Sequence, residues 1–431
     1  MKLTKKGIIL AGLICFLGNA SAVTFYVRST GGADSNNGTT ESTAFQTLAK
    51  VFNLATLSDG DVIDISGTFS YNEGKSITKS ITIQGNDKTK AIIQGISGSK
   101  KRCFSIGTAS AFPTLQIENV TFQNFDNWDD IASLQGGVLQ LNSGSGLVCK
   151  NVNFINNQAY SGGAVNIAGG TVVFEDCYFS ENKSKRRTEG KNADGGAINV
   201  SLANTMSSDI SLTISRCLFE NNSTENIASA VRFRSETIGK SYLLIQNSTF
   251  TCNIVKLPST SNTSGVIYLD IKSANAETAL INNTIAYNKS EIENPSARAG
   301  LSVSGVENKL VLINNILYSN TNTANSDVSI SASVQLKESR NNITSQNYKF
   351  ENNTQAGFCT SNVSRVKDVN LGLASTLTTC GSTTKVLVIN KTSIAVNSGF
   401  TTGVPNVDQC NHKRDDKPDV GAFEYGSDSK K

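Results

Sequence analysis

The chain has 431 residues, with 39 Lys and Arg against 35 Asp and Glu and a single histidine. That near-balance lacks the concentrated basic face a nucleic-acid binder needs. Asn, Ser, Thr and Gly are plentiful while Pro and Trp are scarce, which suits many short strands joined by many turns.

Residues 1–22 read as a signal peptide. Lys2, Lys5 and Lys6 form a basic start, "GIILAGLICFLG" a short apolar run, and Ala20-Ser21-Ala22 a small-residue cleavage site. The run is too short for a spanning helix. Export is therefore expected, to the medium or to the cell surface or outer membrane, as is a chain with no transmembrane segment once the signal is removed.

Residues 23–110 are expected to hold an N-terminal cap and the first coils of the fold. "STAFQTLAKVFNLA" (42–55) places Phe45, Leu48, Ala49 and Phe52 at helical spacing, with Ser42 or Thr43 as the N-cap. "SITIQG" (80–85) and "AIIQG" (91–95) are short strands.

From 111 to 345 the chain repeats itself. "LVCKNVNFINN" (147–157), "VVFEDCYFSEN" (172–182), "LTISRCLFENN" (212–222) and "LLIQNSTFTCN" (243–253) align without a gap. So do 115–125, 278–288 and 310–320. The eighth column is Phe122, Phe154, Phe179, Phe219, Phe250, Ile285 and Leu317. The last column is Asn in every copy except at Phe125, and the fifth is mostly Asn. Between copies lies a second strand, "GGVLQL" (136–141), "GGAVNI" (162–167), "GGAINV" (195–200), then "ASAVRF" (228–233), "SGVIYL" (264–269) and "AGLSVS" (299–304).

Repeats of this length mean stacked units, none of which buries its apolar face alone. Alternation inside each segment indicates strands. The pattern predicts three strands per coil with a tight Asn turn: an all-β, right-handed parallel β-helix of the pectin-lyase-like class. Stacked Asn amides would form ladders, stacked Phe would fill the core, and the paired glycines would serve backbone geometry.

The alternation of GGA-[ILV] with F-x-x-N resembles polymorphic outer membrane protein repeats. It stands here as Gly162–Val165 and Gly195–Ile198, with Phe154–Asn157, Phe179–Asn182, Phe219–Asn222 and Phe250–Asn253. That resemblance implies a surface adhesin, although those proteins carry a C-terminal membrane barrel and no barrel-length segment follows here. Residues 26–69 are similar to the opening of bacterial β-helix proteins, in which the helix would plug the end of the stack. Residues 346–431 are expected to hold C-terminal coils and an irregular cap. "DQCNHKRDDKPDVGAFEY" (408–425) resembles the close of the choice-of-anchor β-helix family, through Asp408, Gln409, Arg414, Asp419, Gly421, Ala422, Phe423 and Glu424. Asn411 stands where that family usually has Gly.

Without the signal, Cys103, Cys149, Cys177, Cys217, Cys252, Cys359, Cys380 and Cys410 remain. An even count in an exported chain permits disulfides. A bridge is expected among Cys359, Cys380 and Cys410, with Cys177 and Cys217 as buried thiols. No CxxC pair suggests zinc, and no metal or cofactor is expected.

No nucleophile motif or His-based triad is present, and no catalytic residue is assigned. The candidate ligand-binding residues are Arg232, Arg234, Tyr268, Asp270 and Lys272, which should stack outward on adjacent coils beside the loops 183–194, 254–265 and 289–298. Three cations and one carboxylate would make a positive patch suited to an acidic glycan, held by Arg forks and Tyr268 stacking. The favoured reading is a monomeric, surface-associated, adhesin-like or glycan-binding rod. A polysaccharide lyase or glycosidase, and a structural spacer, are the alternatives.

Overall fold

The computed structural model describes residues 22–129, 134–187, 193–202, 208–236, 238–256, 265–273, 275–292, 299–305, 310–321, 327–331, 333–334, 336–345, 359–360, 362–363, 366–380 and 384–426. The expected signal peptide lies outside them apart from Ala22.

The repeats wind into a parallel β-helix. Four sheets run along the stack, and successive coils pair in parallel with aligned columns. Sheet 1 contains Gly146–Lys150, Gly170–Glu175, Ile210–Ser215 and Ser241–Gln246, with Leu147 beside Val172 and Val172 beside Leu212. Sheet 2 carries the Phe column on Asn153–Ile155, Tyr178–Ser180, Leu218–Glu220 and Thr249–Thr251. Sheet 3 is built of two-residue strands, among them Asp126–Asn127, Gln158–Ala159 and Lys183–Ser184. Sheet 4 is the glycine-led segment, from Leu139–Leu141 through Val165–Ile167, Ile198–Leu202, Val231–Ser235 and Ile267–Ile271 to Leu301–Gly305.

The sequence pattern predicts three strands per coil, and the two-residue strands of sheet 3 make a fourth face. The reason is a second corner. The fifth column turns left-handed at Asn151 (φ 52), Asp176 (φ 54) and Arg216 (φ 52), and so does the tenth, at Asn156 (φ 52), Asn221 (φ 56) and Tyr287 (φ 60). Asn tolerates this region better than most residues, which is why it dominates the corners.

Inside, the Phe column stacks nearly face to face. Ring centroids of Phe179 and Phe219 are 4.6 Å apart at 1°, and those of Phe219 and Phe250 are 4.6 Å apart at 5°. That spacing follows the coil repeat of about 4.8 Å. The eleventh column is a buried amide ladder. Asn157 donates to Asn182, Asn182 to Asn222 and Asn222 to Asn253, each at 2.9 Å. It continues through Asn288 and Asn320 and ends on the carboxylate of Asp327 at 2.9 Å.

The sixth column changes chemistry along the axis. It begins with buried Val120 and Val152, passes through the buried thiols Cys177 and Cys217, and becomes a second ladder at Ser248, Asn283, Asn315 and Asn342. The glycine pairs are geometric, as expected. Gly162 and Gly195 are left-handed (φ 64 and 66), and a Cβ on Gly163 would sit 2.2 Å from the Gly196 carbonyl oxygen.

The N-terminal helix is shorter than expected, Leu48–Phe52, preceded by a 3-10 turn at Glu41–Thr43. Its cap is Thr47 and not Ser42 or Thr43. The Thr47 hydroxyl accepts from Lys50 N at 3.2 Å, and Asp34 in turn receives Gln46 N, Thr47 N and the Thr47 hydroxyl. Phe45, Leu48, Val51 and Phe52 join the core of the stack, with Phe52 edge-on to Phe104 at 5.0 Å.

The C-terminal segment is irregular, as expected, and its contacts are lateral. Residues 384–425 pass to and fro along the flank as a strap, from Arg216 to Asn341, back to Cys217 and out again to Asn314. Gln409 receives the Thr249 hydroxyl at 2.6 Å and donates to the Cys217 carbonyl at 3.3 Å. Arg414 donates to Asn247 at 3.0 Å, Gly421 N to Asn314 O at 2.8 Å, and Asn282 to Asp419 O at 3.0 Å. Strap residues Leu387, Ile389, Ala395 and Val420 pack on Ala286, Ile316 and Tyr318, which face outward from sheet 2. A disulfide joins Cys380 to Cys410 (Cα–Cα 5.5 Å), within the expected trio.

Candidate functional site

The outer face of sheet 4 collects the expected residues. Arg232 lies beside Tyr268, and Arg234 beside Asp270. Lys272 follows at the end of the next strand. Their placement agrees with the sequence reading; their environment does not.

Tyr268 is 8% exposed and its hydroxyl is within 2.9 Å of Ser304 Oγ, so its ring presents no open stacking surface. Nor, among the described residues, is the patch positive; the loop stretches 188–192, 257–264 and 293–298 lie outside them. Arg232 pairs with Asp194 at 3.4 Å, Arg234 with Glu236 at 2.6 Å and Asp270 at 3.6 Å, and Lys272 with Asp270 at 3.8 Å and with Glu236. Three cations thus meet three carboxylates. Asp194 and Glu236 escaped the sequence reading. Asp194 precedes a glycine pair and reaches the face only because its backbone bridges to Ile227 on the next coil. Glu236 is two residues beyond Arg234, and continuing the outward alternation past the end of the strand would have found it.

Beneath this cluster runs a line of polar side chains. Asn166 donates to Gln140 at 3.0 Å and to Gln135 at 3.1 Å, Asn199 to Asn166 at 2.6 Å, and Arg232 Nη1 to Asn199 at 3.2 Å. Arg232 Nε is buried without a hydrogen-bond acceptor. Arg234 Nε also lacks one, since its 3.6 Å approach to Asp270 is an ion-pair distance and too long for a hydrogen bond. Neither Nε thus has a hydrogen-bond acceptor among the described residues of the protein, at the head of an otherwise satisfied polar row.

The protonation states are fixed by the pairing. Burial pushes Glu236 up, but the hydrogen bonds from Lys272 and Arg234 outweigh it and hold the carboxyl below its ordinary range. The hydrogen bond to Glu236 raises both Lys272 and Arg234. A glycosidase needs a carboxyl held protonated as general acid, and a lyase needs a basic side chain that can shed its proton. Glu236, Lys272 and Arg234 are all shifted the opposite way.

Elsewhere, ligand atoms of Asp408, Cys410 and His412 lie within 4.8 Å of one another. The Cys410 sulfur is spent in the disulfide, and the Asp408 carboxylate accepts from His412 N at 2.8 Å and Glu424 N at 3.0 Å. That group belongs to the strap's own architecture.

No family model and no curated protein matches the chain. Among solved structures it is similar to pectate lyase Pel9A, with 15% identity, TM-score 0.48, and 94% of this chain and 97% of that one covered. A rhamnogalacturonan lyase shows 14% identity and TM-score 0.41 over 80% of this chain and 87% of its own. Pectin methylesterase PemA from Erwinia chrysanthemi shows 14% identity and TM-score 0.32 over 66% and 90%. At these identities no residue role passes from them to this chain, whose fold is read from the strand register above.

Proposed function

We propose that this chain is an exported, non-catalytic glycan-binding rod that holds a sugar chain along the outer face of sheet 4. The observation that carries the reading is the hydrogen-bonded row Gln140–Asn166–Asn199–Arg232, leading to the partly exposed ion-pair cluster of Arg234 and Lys272 with Glu236 and Asp270. Amides and paired charges set along a rigid stack suit an array of hydroxyls and ring oxygens. Side chains held by their own hydrogen bonds also lose little entropy when they bind. Charge balance among the described residues of the face favours neutral over acidic sugars. The shifts of Glu236, Lys272 and Arg234 support binding over cleavage. The adhesin role and cell-surface location implied by the repeats belong to the same reading.

The test is a glycan array of neutral and acidic oligosaccharides at low and high salt, on wild type and Arg234→Ala/Lys272→Ala with matched melting controls. Neutral glycans should bind wild type with little salt dependence, and the double variant should bind more weakly. Binding confined to acidic glycans and abolished by salt would restore a cationic site elsewhere. New reducing ends or unsaturated products would sink the non-catalytic reading. Silence across the array would leave a structural spacer.

A further inference from the structure

The chain's only tryptophan follows a strand of sheet 3. Trp128 directly follows Asp126–Asn127, which pairs in register with Gln158–Ala159, which in turn pairs with Lys183–Ser184. Trp128, Tyr160 and Lys185 are therefore the next residues on three successive coils. The indole spans that distance: its Nε1 donates to the Lys185 carbonyl at 3.2 Å, and the Lys185 ammonium lies 3.9 Å from the ring centroid. Between them, Tyr160 is 9% exposed.

Three observations tie this edge to the face already described. Asp194 N donates to Ser161 Oγ at 3.3 Å and its carbonyl accepts from Gly162 N at 2.9 Å, so Asp194 lies beside the chain directly after Tyr160. Asp194 also pairs with Arg232. The start of the Trp128 loop is fixed to the entrance of sheet 4, because buried Asn127 donates to the carbonyls of Gln135 and Gly136 at 3.2 and 3.0 Å, and Gln135 accepts from Asn166.

Building on the glycan reading, we infer that Trp128 is a stacking platform for one pyranose of the bound chain, and that Lys185 is the placeholder on its ring. The indole is half-buried and pinned at its N–H edge, so one rigid aromatic surface is presented at small entropic cost. Its π face attracts the ammonium through the ring quadrupole. It attracts the polarised C–H face of a sugar for the same reason. A pyranose with equatorial substituents has such a flat C–H face. The Lys185 ammonium, on a flexible stem, swings into water when the sugar arrives.

A lone tryptophan makes the test direct. Emission excited beyond tyrosine absorption reports this one ring. The probes are cellohexaose, xylohexaose and a hexameric oligogalacturonate, with affinity measured separately by calorimetry. A bound sugar should change Trp128 emission. Trp128→Ala should weaken binding about 10-fold or more, and Trp128→Phe less. Lys185→Ala should tighten it about 2- to 5-fold, because no cation–π contact is displaced. These opposite signs cannot come from a common loss of folding, which melting curves check independently. Sugar binding with unchanged emission and full affinity in Trp128→Ala overturns the inference and leaves the glycan face standing. Weaker binding by Lys185→Ala overturns the placeholder role. Binding of none of the three sugars overturns both the inference and the face.

Discussion

At the scale of single residues, position in a column decides what a side chain is worth. Phe219 is fully buried between Phe179 and Phe250. Phe219→Ala should cost about 3–5 kcal/mol, since rings above and below cannot both collapse into the hole; a denaturant midpoint like the parent's would refute the column assignment. Asp327 shows the reverse case, where one charge suits only the end of a row. It accepts Asn320 N and Nδ2 on one oxygen, at 3.0 and 2.9 Å, and Ser345 N and Oγ on the other, at 3.0 and 2.7 Å. Its burial pushes the pKa up and outweighs those four donors. The folded value then exceeds the unfolded one, so its contribution is full below the ordinary carboxylate range and is lost as pH rises through the raised value. Asp327→Asn should remove that slope from the stability–pH profile, and would also turn an amide N–H against Ser345. An unchanged slope would mean the group is not coupled to folding.

At the scale of elements, the legible part of the sequence was whatever recurs. The Phe column, the Asn corners, the ladder and the glycine geometry each appear several times at fixed offset, and the structure keeps them. The fourth face was harder to see because its strands are two residues long and the tenth column keeps Asn in only part of the copies: Asn124, Asn156 and Asn221 turn left-handed there, but so do Glu181, Cys252, Tyr287 and Ser319. The candidate face was half legible for a related reason. Alternation placed Arg232, Arg234, Tyr268 and Asp270, but Asp194 and Glu236 arrive from outside the alternating strand, and they reverse the charge argument. Cysteine chemistry follows the same logic of place. Cys177 and Cys217 occupy the inward sixth column and are free and fully buried, as are Cys103 and Cys149, whereas Cys252 sits at a corner and is exposed. Burial pushes the Cys103, Cys149 and Cys217 thiols well up, and thiols so shielded are poor nucleophiles. Alkylation of the native protein should mark Cys252 ahead of these four, which should react only after unfolding. A Cys177–Cys217 bridge in a mass map would contradict the stack.

At the scale of the molecule, the strap changes how a quasi-one-dimensional stack holds together. In a simple solenoid each coil is stabilised by its immediate neighbours. Here one segment fastens several coils at once, from the Cys217 carbonyl through Thr249 and Asn282 to Asn314. Residues 408–425 supply the fastening. Buried Arg414 pairs with Glu424 at 2.8 Å and also holds Asn247 and the Gly421 carbonyl. Burial pushes Glu424, Asp408 and Asp419 up, while a guanidinium keeps its charge. Arg414→Met should therefore cost about 3–5 kcal/mol by taking the guanidinium away from a buried carboxylate. The loss should shrink as pH falls, because protonation removes the stranded charge. The disulfide adds a second constraint: it closes a separation of 30 residues, which a chain-entropy estimate values at about 3–4 kcal/mol. Hydrogen exchange on Cys380→Ser/Cys410→Ser separates the strap's own stability from its reach. If the strap couples the coils it crosses, exchange should rise together in the strands at 210–220, 241–251, 276–286 and 310–318, while those at 62–70 and 81–94 stay protected. A rise confined to residues 384–425 would make the strap a passenger, and a uniform rise along the rod would mean that the stack folds as one unit without it.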